Sequence, residues 1–344
     1  MAELDMIKEV AENILTNTPD PVVKLRLLRD VLRRPLDSTE VIQAKTNLSK
    51  SRWVHELESE QWSDGSWGRF HTMDTNKKQK IATTENGVSR ALALGLDASH
   101  PILRKAAAYI TCILEGTSKW RDRQEVSWGQ SWVDSGVRLI SAATLAQIQP
   151  DLPILDGVWD LWHTIIRRAF PSGKYNREQE IQAQLDLLGI RIISKYAREQ
   201  IKRGRALRAF SKYHIALLSS RADRLPHQLE KAYVTMIWNL DNGISYLEVP
   251  LTISPARLLS RHPSRFDAWL SSIELLTPFA SWRELARDSI GWLWEQRNEK
   301  GFWDFGPRKS LSTYFPMSES WRKKKAREFD WTTRILTLLR KYYS

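Results

Sequence analysis

The sequence predicts an all-α protein of about a dozen helices, on three observations. Apolar residues recur at helical spacing along nearly all of the 344 residues. The alternation typical of strands is weak, and the one β-rich segment, 244–253, is interrupted by Pro250. A short pattern of Gln, Gly and Trp occurs twice, each time where a helix should end.

The predicted helices have ordinary start and stop residues. Segment 84–95 carries an apolar face and stops at Gly95, the residue type that most easily leaves a helix. Pro101 begins the next helix, because proline is favoured in a first turn, where its missing N–H is not needed. The same periodicity predicts further helices over 134–147, 155–170, 181–198, 266–279, 283–296 and 330–343.

Composition is that of a globular chain, with 42% hydrophobic and 27% charged residues. No linker or low-complexity stretch divides it, so we predict one domain over 1–344, with 1–50 as a helical N-terminal arm. The single cysteine, Cys112, excludes an intramolecular disulfide and a cysteine-rich metal site. The start has no signal-peptide pattern and no apolar run reaches about 20 residues, so we expect a soluble, cytoplasmic protein.

The net charge of +12 needs a partner or a solvated surface to explain it. Basic residues cluster at 26–34, 77–80, 198–208 and 322–327. An anionic membrane surface, a phosphorylated substrate and plainly solvated helix faces all remain open. We do not expect a nucleic-acid partner, because the sequence has no helix-turn-helix, zinc-finger or RNP signature.

The repeated turn combines residue types that suit the end of a helix. Its two copies are Leu57-x₃-Gln61-x₃-Gly65-x-Trp67 and Trp292-x₃-Gln296-x₄-Gly301-x-Trp303. The apolar residue one turn before Gln packs inward, and Gly supplies the positive φ that lets the chain leave the helix. Trp then covers the end of the helix, and Gln can bond backbone groups left free there.

This turn is the QW motif, and the chain resembles the squalene–hopene and oxidosqualene cyclases over residues 50–135 and 265–343. Segment 81–95 looks like the inner helix of that family, and 109–120 is similar to a degenerate third copy, with Ile113 in place of Gln. The resemblance implies an α/α toroid of about five to six helical hairpins, as in protein prenyltransferases. An unrelated (α/α) barrel of the glycosidase type is the alternative.

The sequence does not contain the metal-binding motifs of the metal-dependent enzymes that resemble these families. Zinc-dependent prenyltransferases use Asp, Cys and His, but Cys112 is the only thiol and the seven His have no ligand spacing. Class I terpene synthases need an aspartate-rich motif, and no two adjacent Asp occur. We interpret the partial second metal motif at 239–248 as a turn. We therefore predict no metal and no cofactor.

Class II cyclases instead protonate their substrate with a buried Asp of an Asp-x-Asp-Asp motif. The closest match is 328–333, which makes Asp330 the proton donor and Glu328 its partner, with Trp331 in place of the last Asp. Alternatively, Asp330 is the N-cap of the helix that follows it. Asp134 is the second candidate acid. Other carboxylates at predicted helix starts are Glu85, Asp186 and Asp267.

The sixteen Trp favour a nonpolar or cationic guest, since a well-placed ring face stabilises a cation by about 1–2 kcal/mol. The candidate wall residues are Trp132, Trp269, Trp282 and Trp331, all on or near predicted inner helices. Arg334, one turn after the predicted acid, is a candidate to hold a diphosphate without metal.

Three functions follow. The leading hypothesis is an isoprenoid-handling enzyme, a metal-independent terpene cyclase acting on a prenyl diphosphate or a polyprene by acid protonation. The second is a non-catalytic toroid that binds a lipid or a partner. The third is a carbohydrate-active (α/α) barrel hydrolase or lyase, in which Trp stacks on sugar rings.

Overall fold

The computed structural model describes residues 2–72, 78–122, 129–191, 195–204, 206–261, 263–307 and 316–344. Regular structure in these ranges is helical, and the only β pairing within them is two isolated bridges, 69 with 83 and 211 with 245. The all-α prediction is therefore confirmed for the part of the chain that is described. Among the helices of these ranges, none combines the length and apolar character needed to cross a membrane.

The α-helices run in chain order as follows: α1 Ala2–Thr16, α2 Pro21–Arg26, α3 Thr39–Ser49, α4 Arg52–Glu60, α5 Thr84–Ala93, α6 Pro101–Leu114, α7 Gln130–Ala146, α8 Asp156–Ala169, α9 Arg177–Leu188, α10 Lys195–Lys202, α11 Lys212–Ser219, α12 His227–Trp238, α13 Pro255–Arg261, α14 Pro263–Leu276, α15 Trp282–Glu295 and α16 Lys324–Tyr342.

Two predicted helix boundaries are wrong. The single helix predicted over 181–198 is divided, because α9 ends at Gly189, whose left-handed conformation stops it. The last helix begins at Lys324 and not at residue 330, so Asp330 lies inside α16 and is not its N-cap. By contrast, the starts of α5 and α6 lie where capping residues placed them: the Thr83 side chain accepts from Asn86 N–H, and Pro101 is the first residue of α6.

Neighbouring helices pack in a sequence that follows the chain. Helix α6 packs on α7, α7 on α11, α11 on α14, and α15 on α16. Helix α1 packs on α16, and the π-helical turn Leu27–Val31 lies against both of them, so the two ends of the chain meet. One cavity is bordered by residues of α5, α11 and α14 and by Gln147, directly after α7.

The two repeated turns have the same hydrogen bonds. The indole N–H of Trp67 donates to the carbonyl of Leu57 at 2.9 Å, and its backbone N–H donates to the Thr84 hydroxyl at 3.1 Å. Trp303 repeats both bonds, to the carbonyl of Leu293 at 2.6 Å and to the Thr332 hydroxyl at 2.9 Å. Trp67 thus joins the end of α4 to the first residue of α5, and Trp303 joins the end of α15 to the interior of α16.

The glutamine of the motif does not occupy the same position in the two turns. Gln61 donates to the carbonyls of Gly65 and Ile102, both at 2.9 Å, and so ties the first turn to α6. In both turns the indole N–H binds the carbonyl of the residue ten positions before the Trp. Gln61 stands six positions before Trp67, and the residue six positions before Trp303 is Arg297, not Gln296. Gln296 therefore stands one residue earlier, relative to its Trp, than Gln61 does.

Candidate functional site

Asp330, the predicted proton donor, is completely buried and surrounded by donors. Its carboxyl accepts from the backbone N–H groups of Met317 and Ser318 at 2.9 and 3.0 Å, and from the indole N–H of Trp321 at 2.5 Å. Burial raises its pKa to about 6, although these hydrogen bonds act in the opposite direction. These hydrogen bonds hold segment 316–321 against α16.

The other two predicted carboxylates lie elsewhere. Glu328 accepts from the side-chain amide of Asn298 at 2.5 Å and borders an open groove of about 1060 Å³ that does not include Asp330 among its lining residues. Two residues apart on a helix, the side chains point in directions that differ by about 200°. Asp134 is exposed on α7, one turn after Gln130, from whose side-chain amide it accepts at 2.7 Å. The structure does not bring these three carboxylates together.

Three of the four predicted aromatic wall residues are fully buried in the core. Trp269 donates its indole N–H to the carbonyl of Leu251 at 3.2 Å, and Trp331 donates to that of Gly306 at 3.1 Å. Trp282 packs edge-on against Tyr342. Because these rings make protein contacts on all sides, they are placed as packing residues.

The predicted diphosphate anchor, Arg334, is occupied by the protein. Its guanidinium donates to both oxygens of Glu274 at 2.7 Å and to Asp267 at 2.5 Å, and it also reaches the Ser271 hydroxyl at 2.8 Å. With 4% of its surface exposed, it would have to leave these partners before it could bind a ligand.

Trp132, by contrast, borders a cavity of about 260 Å³. Trp162, Tyr213 and Tyr246 contribute further rings, and aliphatic side chains of α7 and α9 complete an apolar wall. Among the described residues, Arg208 is the one permanently charged side chain that borders it, and no Asp or Glu of these residues does. The cavity is therefore apolar, aromatic and, where charged, positive.

A second cavity, of about 280 Å³, shares Tyr213 and Tyr246 with the first. Its lining is more polar and includes the carboxylates Glu85 and Glu274 with the amine of Lys212. Tyr246 is 56% exposed and has a φ of +75°, an unfavourable conformation for a residue with a Cβ. The two tyrosines thus form the boundary between an apolar and a charged space.

Glu85 is the centre of a hydrogen-bonded cluster at this boundary, in the first turn of α5. Its carboxylate lies 2.8 Å from His71 Nδ1 and 2.6 Å from Lys212 Nζ. The Tyr213 hydroxyl donates to both carboxylate oxygens, at 3.0 and 2.8 Å. We define these four residues as the Glu85 cluster.

The cluster keeps Glu85 ionised. Burial opposes its charge, but the hydrogen bond from His71 and the ammonium of Lys212 outweigh that cost and lower the pKa to about 2. Burial and the neighbouring carboxylate raise the pKa of Tyr213 far above its usual value. At neutral pH the cluster therefore provides a fixed negative charge and a neutral phenol, and Glu85 is not a proton donor.

Sequence reasoning found this site only in part. Glu85 was a candidate as a carboxylate at a helix start, but the partners that define it come from distant parts of the chain, 127 residues away in the case of Lys212. His71 gave no signal because no second histidine stands at a ligand spacing from it. Trp132 is the one predicted wall residue that borders a cavity.

Metal binding has no visible framework in the described ranges, where no three His, Cys, Asp or Glu side chains come together. Comparison of the chain with protein-family profiles, with curated proteins and with solved structures finds no match.

Proposed function

We propose that this chain is an α/α toroid that binds an isoprenoid-type ligand, with the apolar chain of the ligand between Trp132 and Trp162. The observation that carries the proposal is the aromatic cavity at these residues, which no carboxylate borders. Ligand sites are typically concave and mostly apolar, with a few polar groups that fix orientation. A polyene chain matches such a wall better than a sugar, whose hydroxyls need many polar partners.

The toroid is supported by the repeated turns and by the helices around the second cavity. Each turn ties the end of one helix to a later helix through the same pair of Trp bonds. Helices α5, α11 and α14, with Gln147 directly after α7, then border a common space, as the inner helices of a toroid would.

A carbohydrate-active site is less well supported. Glycoside hydrolysis needs two carboxyl groups, one of which must be protonated. The two carboxylates of the second cavity are each bound by a cation: Lys212 holds Glu85, and Arg334 holds both oxygens of Glu274. Neither has the apolar surroundings that keep a carboxyl group protonated.

Equilibrium binding of geraniol and farnesol by calorimetry tests the proposal. Trp132→Ala should weaken binding roughly tenfold because an aromatic wall is lost, and Trp132→Phe should restore most of it. Tyr196→Ala, which removes an aromatic side chain that is 60% exposed on α10, is the matched control and should change nothing. No binding of either alcohol, or tighter binding of cellobiose, would contradict the proposal.

A class II cyclase is the second candidate, favoured by one observation, the raised pKa of Asp330. A carboxyl group with a pKa of about 6 is partly protonated near neutral pH. The test is incubation with geranyl, farnesyl and geranylgeranyl diphosphates, with and without Mg²⁺, and mass spectrometry of the products. Product formation that Asp330→Asn abolishes would support this candidate, and absence of product under every condition would exclude it for these substrates.

A further inference from the structure

The aromatic cavity is bordered by hydrogen-bond donors that have no acceptor within the part of the chain that the structure describes. The first is His214, which is 6% exposed. Its Nδ1 accepts from the backbone N–H of Ser211 at 3.2 Å, so the ring proton resides on Nε2. That Nε2 atom has no hydrogen-bond partner. The ring meets Trp162 edge-on at 4.2 Å, a contact much weaker than a hydrogen bond.

His214 is a neutral donor at physiological pH. Burial lowers its pKa to about 3, because the charged imidazolium would have no water around it. A neutral ring with an occupied Nδ1 can only donate through Nε2. An unpaired buried donor costs free energy, so its presence beside a cavity indicates a partner that arrives with a ligand.

Gln184 provides a second unpaired donor on the same cavity. It lies on α9, is 2% exposed and borders the cavity, and its amide nitrogen has no hydrogen-bond partner. His214 and Gln184 come from different helices, α11 and α9, so the coincidence does not arise from one local turn.

Arg208 adds a positive charge. It borders the cavity, its guanidinium lies 5.4 Å from the ring of Phe210, and among the described residues it forms no ion pair. The described residues that border the cavity include no carboxylate, and the two unpaired polar atoms among them, His214 Nε2 and the amide nitrogen of Gln184, are both donors. A ligand that satisfies these two donors and the charge of Arg208 must bring acceptors and a negative charge.

We propose that the cavity at Trp132 binds an amphipathic anion with a short apolar chain, whose carboxylate or phosphate head accepts from His214 and Gln184 and pairs with Arg208. The volume limits the part of the ligand that the cavity holds: 260 Å³ takes roughly nine groups the size of water, at about 30 Å³ each, head and chain together. The inference rests on the proposed function, which places an apolar chain in this cavity, and adds the charge of the ligand.

The experiment compares three ligands with the same ten-carbon chain: geraniol, geranic acid and geranyl phosphate. Calorimetry at pH 7 should give at least tenfold tighter binding for one or both anions than for the alcohol, as expected for charge-assisted hydrogen bonds. Which anion binds more tightly distinguishes a carboxylate from a phosphate head.

Arg208→Met should abolish the preference for the anions over geraniol. The matched control is Arg203→Met, which removes the same charge from a surface position paired with Glu199 and should keep the preference. Equal affinity of the wild-type protein for all three ligands would overturn the anion inference and leave the proposed function intact. An equal loss in both arginine variants would also overturn it, since net charge alone would then explain the preference. If none of the three ligands binds, both proposals fail.

Discussion

Replacing Glu85 by Gln tests the electrostatics of the Glu85 cluster directly. Gln keeps the size of the side chain and can still accept the hydrogen bond from the Tyr213 hydroxyl. What it loses is the negative charge that Lys212 and His71 hold at 2.6 and 2.8 Å. Because the Lys212 side chain is one-third exposed, its ammonium can turn towards water in the variant and need not stay buried without a partner.

The expected loss follows from the pKa of Glu85. Lowering it from 4.5 to about 2 corresponds to about 3 kcal/mol at 1.36 kcal/mol per unit. Since the folded pKa is the lower one, this stabilisation is complete above pH 4.5 and disappears as the pH falls through 2. At pH 3 roughly 1 kcal/mol of it should remain.

Urea denaturation at pH 7 and pH 3 measures this difference. Glu85→Gln should lower the free energy of unfolding by about 3 kcal/mol at pH 7 and by roughly 1 kcal/mol at pH 3. Glu284→Gln is the control, because Glu284 is a solvent-exposed carboxylate whose partner is Lys231, and it should leave stability unchanged. An equal loss at both pH values would refute the reasoning, since a difference that does not depend on pH cannot come from the charge.

Two further predictions concern His214 and Gly65. The pKa of His214 is lowered from 6.5 to about 3, so its contribution to stability is complete above pH 6.5 and falls as the pH decreases. The stability of His214→Phe relative to the wild type should therefore rise by about 2 kcal/mol between pH 6.5 and 4.5, measured by urea denaturation; a constant difference would argue against a buried neutral imidazole. Gly65→Ala should cost more than about 3 kcal/mol or prevent folding, because φ is +93° and a Cβ would lie 2.2 Å from the Lys105 carbonyl. Gly116→Ala has a similar φ of +74° but open space around it, so it should cost only about 1 kcal/mol in the same assay, and equal costs would contradict the assigned contact.

The parts of the fold that sequence could predict are those set by local residues. The Thr83 cap, Pro101 and Gly95 act within one turn of their helix ends, so the pattern fixed α5 and the start of α6. The prediction of where α16 begins was wrong because segment 324–328 is mostly charged and has no apolar face of its own. Its helical state depends on tertiary contacts such as the Arg327 pair with Asp304, which lies 23 residues earlier.

The site was harder to predict because the role of each residue depends on how deeply it is buried and on which residues it contacts. A short sequence motif gives information on neither. The match at 328–333 selected Asp330 by residue type, but the structure surrounds this carboxyl with backbone and indole donors. Trp331 and Arg334 have the right chemistry for a ligand and are placed in the core and in an ion-pair network. Trp132 differs only in standing at a cavity, a property that no local pattern encodes.

The repeated turn bears on function through the residue that it positions. In both copies a Trp backbone N–H binds the hydroxyl of a threonine in a later helix, Thr84 at the first residue of α5 and Thr332 in the interior of α16. The residue after that threonine is Glu85 in the first copy and Thr333 in the second. Glu85 meets His71, Lys212 and Tyr213 at the cavity boundary, whereas Thr333 is buried without a hydrogen-bond partner for its hydroxyl. The turn therefore positions a charged side chain, Glu85, in the first copy and a buried uncharged side chain, Thr333, in the second. The chemistry depends on the residue at this position and not on the turn.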